Sequence, residues 1–161
     1  MDIKRLSLWL DRIIRFVLGT LFIVAGAMKL RDPEAFVVVI DAFGLVPGSV
    51  TGPLSLILPV LEITAGLGLI VDFPLSLHTV SLLLVMFIAI LLYGMHLGLD
   101  IDCGCYGPDD VEARAFGGLS RAFHRDLWMA AGLCLLYMRR IYAMFFDKKI
   151  IYNLDSPKEL V

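Results

Sequence analysis

The sequence predicts an all-α polytopic integral membrane protein, a bundle of four transmembrane helices that forms one domain over residues 1–161. Of its 161 residues, 59% are hydrophobic and 19% are charged, whereas soluble domains are about 45–50% apolar and about 25% charged. The charged residues collect near the two ends of the chain and in two internal segments, and long apolar stretches separate them. A net charge of −2 offers no attraction to nucleic acid. The composition therefore predicts a protein of the bilayer and excludes a soluble enzyme.

Four segments are long and apolar enough to predict membrane spans. A helix needs about 20 mainly apolar residues to cross about 30 Å of hydrocarbon. The predicted spans are residues 13–30, 53–71, 74–99 and 126–141. The third contains no Asp, Glu, Lys or Arg. The fourth is free of charge only from Leu127 to Met138, so it needs Arg125 at one interface and Arg139 and Arg140 at the other.

A shorter apolar segment, from Glu34 to Phe43, lies between the first two spans. It is too short to cross the bilayer as a helix. We therefore expect a helix at the membrane interface that ends at Gly44.

Lys and Arg residues predict the orientation, because they favour the cytoplasmic side of a membrane. With four spans, nine of the fourteen lie on the side of the two termini, and five lie on the other side. The sequence thus predicts a multi-pass protein of the bacterial inner membrane with both termini in the cytoplasm. The loop of residues 100–125 then faces the periplasm, where thiols can be kept oxidised.

This outer loop contains two cysteines, Cys103 and Cys105, separated by Gly104. Glycine permits the backbone angles that so small a disulfide ring needs. A bridge this local restrains little of the unfolded chain and is expected to be easily reduced. The pair therefore predicts a catalytic thiol–disulfide exchange site; the alternative is an inert local disulfide or two reduced cysteines with no role.

Several side chains are candidates to support the cysteines. A thiolate is favoured by nearby positive charge, and Arg121, Arg125 and Lys29 are expected at the outer mouth of the bundle. Four nearby aspartates act in the opposite direction: Asp100, Asp102, Asp109 and Asp110. His96, at the outer end of the third span, could shuttle protons to a thiol or simply anchor the helix.

Glu62 is the one charged residue of the second span. An ionisable residue at that depth is costly and normally faces the interior of the bundle. A protonated Glu62 could donate a hydrogen bond to a quinone carbonyl or relay a proton, which makes a quinone the possible cofactor. A polar clamp between two helices is the alternative.

Metal binding is a further alternative for the cysteine pair. Two thiolates with His96 or His124 could hold a soft ion such as Cu(I) or Zn. No second cysteine or histidine motif completes such a site, so no metal ligands are assigned. Cys134, alone in the fourth span, is expected to be a small packed core residue.

Several short motifs occur in an order that resembles a known family. They are Arg15-Phe16 with Gly19, Ala25 to Leu30 with Asp32-Pro33, Leu58 to Glu62, Asp102 to Gly107, and Arg125-Asp126. The pattern resembles the methylamine utilisation protein MauE, within the DoxX-like group of four-helix membrane proteins. The Cys-Gly-Cys element is its most specific part. Tyr106 stands where members of the family usually have Phe.

The resemblance implies a redox protein that works with a periplasmic thioredoxin-like partner, as MauE does with MauD, in methylamine utilisation or a related disulfide maturation. Our first hypothesis is therefore a thiol–disulfide oxidoreductase of the membrane that acts through Cys103 and Cys105. A carrier or transporter of a soft metal (Cu, Zn or Hg) and a non-catalytic assembly subunit are the alternatives.

Overall fold

The architecture is described from a computed structural model, which covers residues 3–99 and 118–154 and shows the side chains of residues 9–99 and 118–142. These residues form five helices, which confirms the all-α prediction. The helices are α1 (Ile3–Arg31), α2 (Pro33–Phe43), α3 (Gly48–Ile70), α4 (Ser76–His96) and α5 (Gly118–Leu154).

Three of these helices are long and apolar enough to cross a bilayer. Within the described residues they are Trp9–Arg31, Gly48–Ile70 and Ser76–His96, and they overlap the first three predicted spans. α5 is not among these three, so the count of four spans stays a prediction. Because α5 begins at Gly118, the last residues of the predicted outer loop, 118–125, are helical.

The short helix α2 has well-defined ends. Asp32 caps its first turn by accepting a hydrogen bond from the Ala35 amide at 3.0 Å, and Pro33 occupies the first helical position. Gly44 ends the helix with a φ of 62°, a left-handed conformation that glycine adopts without a steric cost. A helix ending at Gly44 agrees with the sequence prediction.

Helices α1 and α3 pack in antiparallel orientation at very short range. A Cβ atom placed on Gly66 would lie 2.7 Å from the Gly19 carbonyl oxygen, and one on Gly26 would lie 2.7 Å from that of Pro59. Small residues at such positions let two backbones approach and gain dispersion contacts, which drive helix association in lipid. The spacing of Gly19 and Gly26 therefore specifies which face of α1 meets α3.

The bundle is closed by α4 and α5, which also pack in antiparallel orientation. At one end Gly94 faces the side chain of Leu119. At the other end the Tyr137 hydroxyl and the Nδ1 atom of His78 are 2.8 Å apart. The buried apolar core lies between the helices and includes Leu18, Phe22, Leu69, Leu77, Val80, Leu84, Met129, Leu133 and Leu136.

Arg15 links α1 to the turn between α3 and α4. Its Nη1 atom donates to Asp72 at 2.6 Å, and its Nε atom donates to Asp11 at 2.7 Å. Asp72 has a φ of 59°, which is uncommon for a residue other than glycine. The contact places the first half of α1 and the α3–α4 turn at the same end of the bundle.

The contact between α1 and α3 predicts opposite effects for two glycine substitutions in one helix. Gly66→Ala forces the backbones apart and should lower the free energy of unfolding by about 1–3 kcal/mol. Gly52→Ala, in the same helix with nothing within 4 Å of the added carbon, should be neutral or stabilising by up to about 1 kcal/mol. Thermal unfolding in detergent micelles measures both. Equal effects of the two variants would contradict the close approach.

Candidate functional site

A buried ion pair joins α1 to α3 in the interior of the bundle. The Nζ atom of Lys29 donates a hydrogen bond to the Oε1 atom of Glu62. The two side chains are only 4% and 1% exposed, respectively. Gly26, one turn before Lys29, brings α1 close enough to α3 for the pair to form. Because each charge is removed from water, each depends on the other to offset its desolvation.

Two aromatic rings flank the Lys29 ammonium. Its nitrogen lies 4.4 Å from the ring centroid of Phe87 on α4 and 5.3 Å from that of Phe36 on α2. The negative face of an aromatic ring attracts a cation at these distances. Lys29 therefore contacts three other helices, through Glu62, Phe36 and Phe87.

Helix α5 contributes a second pair of charges. Asp126 is 3% exposed, and its Oδ1 atom accepts a hydrogen bond at 3.0 Å from Nε of the neighbouring Arg125, whose Nη2 atom forms an ion pair with the same oxygen at 2.9 Å. Lys29 and Asp126 line the same cavity. The two ion pairs thus belong to one site.

A cavity of about 300 Å³ lies next to these charges. Lys29, Glu62, Arg125 and Asp126 all line it. The rest of its wall is apolar and comes from all five helices and the loop after α2; it includes Leu21, Ala25, Phe36, Phe43, Leu58, Leu84, Phe87, Ile90 and Met129. Leu45 also lines the cavity and is 49% exposed, so the cavity reaches the surface of the bundle there.

This arrangement is suited to binding a mainly apolar molecule that carries a polar group. Ionisable residues within a membrane are expensive, and in known proteins they mark ion, proton or substrate pathways. Here they are concentrated in one part of an otherwise hydrocarbon-lined space. Carboxylates in such a place can accept and release protons, and the ammonium can donate hydrogen bonds.

The structure brings together three of the residues predicted for the site. Glu62, Lys29 and Arg125 line the same cavity. Lys29, expected at the outer mouth, lies instead beside Glu62 and over Phe87, near the middle of α4. The remaining described candidates do not line the cavity: His96 is exposed at the end of α4, and Arg121 is exposed on the first turns of α5.

The two predicted catalytic cysteines, Cys103 and Cys105, lie outside the described residues. Cys134 lies within them, and the expectation that it packs in the core was wrong, because it is exposed on α5. Within residues 3–99 and 118–154, no three His, Cys, Asp or Glu residues lie together as metal ligands would.

Sequence reasoning missed Asp126 and the two flanking rings. Asp126 begins the fourth predicted span and belongs to the Arg125-Asp126 motif, but the sequence analysis does not predict it as a site residue. A lone carboxylate next to an apolar segment is the feature that could have marked it, as it did for Glu62. Phe36 and Phe87 carry no such feature, since phenylalanines are common throughout this chain.

Comparison with known proteins gives the family. Residues 7–145 match the family described as Methylamine utilisation protein MauE. The chain belongs to the MauE family. The Methylamine utilization protein MauE of Paracoccus denitrificans is 33% identical over 107 residues, which cover 65% of this chain and 56% of that protein. No solved structure matches the chain.

The family match confirms the resemblance seen in the motifs. It includes every residue that lines the cavity, from Leu21 to Met129, as well as Cys103 and Cys105. The cavity and the cysteine pair are therefore both features of the MauE-family part of the chain. The chain spans little more than half the length of the curated relative.

The Lys29–Glu62 pair predicts a large effect of removing one charge and a small effect of removing both. Lys29→Met leaves a buried carboxylate without its cation and should lower the free energy of unfolding by about 3–5 kcal/mol. In the double variant Lys29→Met/Glu62→Met the uncompensated charge is gone, so most of that loss should be recovered. Thermal unfolding in micelles measures both.

A matched control is Glu34→Gln, which neutralises an exposed carboxylate on α2 and should change the free energy by less than about 0.5 kcal/mol. A double variant as unstable as the sum of its two single variants would show that the two side chains do not interact.

Proposed function

We propose that this MauE-family protein is an inner-membrane thiol–disulfide oxidoreductase that acts through Cys103 and Cys105 on a periplasmic thioredoxin-like partner. The observation that carries the proposal is the Cys103-Gly104-Cys105 sequence, inside the family match and next to helices that can cross a membrane. A pair so close in sequence is a poor structural crosslink and a good exchange site.

The exchange proceeds by two substitutions at sulfur. The thiolate of one cysteine attacks a disulfide of the partner, forms a mixed disulfide and releases one partner thiolate. The second cysteine then attacks the mixed disulfide, which forms the Cys103–Cys105 bond and releases the reduced partner. This chain has lost two electrons and the partner has gained them. The reverse sequence oxidises the partner, and the same two atoms serve both directions.

The positions of the flanking helices support a cysteine pair at the outer end of the bundle. The segment that contains the cysteines connects α4 to α5, and Gly94 of α4 packs beside Leu119 of α5. This end is opposite the end at which Arg15 binds Asp72. The excess of Lys and Arg near the two chain ends favours a cytoplasmic location for the Asp72 end.

Packing also supports a membrane crossing by α5, which would make four spans. Contacts between α4 and α5 run from Gly94–Leu119 at one end to His78–Tyr137 at the other. Since α4 is a candidate span, the part of α5 packed antiparallel beside it covers a similar length of the bundle. Burial of Leu133 and Leu136 against the other helices fits a span that is completed by its neighbours.

The relative from Paracoccus denitrificans is named for methylamine utilisation. We extend that role to this chain as part of the proposal: its thiol–disulfide exchange serves methylamine utilisation or a related maturation of disulfide-containing proteins. The thioredoxin-like partner would be MauD or a protein of similar chemistry.

Single cysteine variants should trap the partner. Cys103→Ser or Cys105→Ser removes the resolving thiol, so the mixed disulfide should accumulate as a covalent adduct in at least one variant. Non-reducing electrophoresis of acid-quenched membranes, followed by mass spectrometry, detects a thioredoxin-like protein in the adduct. The double variant should form none.

Cys134→Ser is the matched control, because it removes an exposed thiol elsewhere in the chain and should leave adduct formation unchanged. The proposal fails if neither single variant captures a partner and the wild-type pair keeps one redox state in cells.

Labelling with a membrane-impermeant maleimide tests the topology in a Cys134→Ser background. After mild reduction, Cys103 and Cys105 should react in intact spheroplasts. Single cysteines introduced by Phe73→Cys, in the exposed α3–α4 turn, and by Ser156→Cys should react only after the membrane is permeabilised; these two variants also carry serines at 103 and 105. Labelling of the Ser156→Cys protein from outside would show that α5 does not cross.

A further inference from the structure

The thiol–disulfide exchange proposed above involves Cys103, Cys105 and a partner protein, and none of its steps uses the cavity beside Lys29 and Glu62. It lies deep in the bundle: Phe87 is about 16 Å along α4 from Ser76, close to the middle of this 21-residue helix. The cavity lining is almost entirely apolar, which suits a ligand that dissolves in the membrane. We propose that the cavity binds the head group of a lipid-soluble quinone.

The size and lining of the cavity fit a flat ring with an apolar tail. Its volume of about 300 Å³ lies at the lower end of the range for small-molecule sites, about 300–1,000 Å³. Phe36 and Phe87 line it and flank Lys29, so a planar ring would lie among aromatic side chains next to a polar group. The opening at Leu45, which is half exposed, gives an apolar tail a way out.

The charges of the wall favour a neutral head group over an anionic one. Lys29 is paired with Glu62, and Arg125 is paired with Asp126. Among the residues that the structure describes at the wall, two cations and two carboxylates leave no net positive charge to attract a fatty acid or a phospholipid phosphate. A quinone is neutral and has two carbonyl oxygens that accept hydrogen bonds. The Lys29 ammonium has three N–H donors, and Glu62 accepts from one of them through Oε1.

The same groups suit the chemistry of the quinone–quinol couple. Reduction of a quinone takes two electrons and two protons, and its product is a quinol with two hydroxyl groups. Oxidation of two thiols to a disulfide releases the same two electrons and two protons, so dithiol plus quinone gives disulfide plus quinol in balance. This source of electrons rests on the proposed function of Cys103 and Cys105. Glu62 and Asp126 are the carboxyl groups of the cavity that can pass protons to a bound ring.

Binding is measured with decylubiquinone as the probe and the full-length protein in nanodiscs of synthetic, quinone-free phospholipid. We expect saturable binding of one quinone per chain, together with a rise in the unfolding temperature. Decylbenzene, which has the tail but no carbonyl groups, and palmitate, which is anionic, should compete at least tenfold less well. Equal competition by either compound would identify a hydrocarbon or anion site and overturn the proposal, as would the absence of saturable binding.

Two substitutions fill the cavity from different helices. Ala25→Phe and Leu58→Trp add bulk at lining positions and should each weaken quinone binding at least tenfold. Their controls, Ala27→Phe and Leu61→Trp, place the same side chains on exposed positions of the same helices and should bind like the wild type. Unchanged binding in the folded cavity variants overturns the proposal. If a filled cavity prevents folding, the competition experiment still tests the proposal, because it uses only the wild-type protein.

The outcome is separable from that of the proposed function. A protein with serine at positions 103 and 105 should bind decylubiquinone like the wild type, but dithiothreitol should reduce the bound quinone faster only in the wild type. Normal binding with equal rates of quinol formation would overturn the cysteines as the electron source and leave the quinone site standing. Partner trapping without quinone binding would overturn the site and leave the thiol exchange standing.

Discussion

Two charges placed in a hydrocarbon environment constrain this bundle more than any single apolar contact. Lys29 and Glu62 are each almost wholly buried, and the energy of an isolated charge there would exceed what packing alone can offset. The antiparallel arrangement of α1 and α3 that brings them together is the same one that sets Gly19 against Gly66. Van der Waals packing and ion pairing therefore select one alignment of the two helices, around which α2, α4 and α5 assemble.

The spans could be predicted because the bilayer imposes a length and a composition that the sequence displays directly. The segments around α1, α3 and α4 meet that requirement without reference to their neighbours. The sequence of α5 shows this length and composition less clearly, because Arg139 and Arg140 interrupt its apolar part. The position of α5 depends on its packing against α4. The position of α2 likewise needed the structure: a capping Asp32 and a terminal Gly44 predict its ends, but only tertiary contacts show that its Phe36 covers Lys29.

The candidate site was predictable where charge alone marks a residue, and not where the fold creates the contact. Glu62 is the one charge of an apolar segment, so its burial was expected. Lys29 was assigned to the end of its span because the apolar sequence ends there. α1 continues to Arg31 and α2 folds back over it, which buries Lys29 instead. Phe87 and Asp126 belong to the site only because α4 and α5 pack around the cavity. Residue spacing within one helix does not predict how two helices pack.

Helix α5 connects the two chemical features of the chain. It follows the segment that contains the cysteines, begins at Gly118 and carries Asp126 on the cavity wall. Asp126 is about 12 Å along the helix from Gly118. Direct thiol–quinone chemistry requires contact between the reacting atoms. A rigid separation of the cysteines from the cavity would thus permit thiol exchange and exclude direct electron transfer to a bound ring.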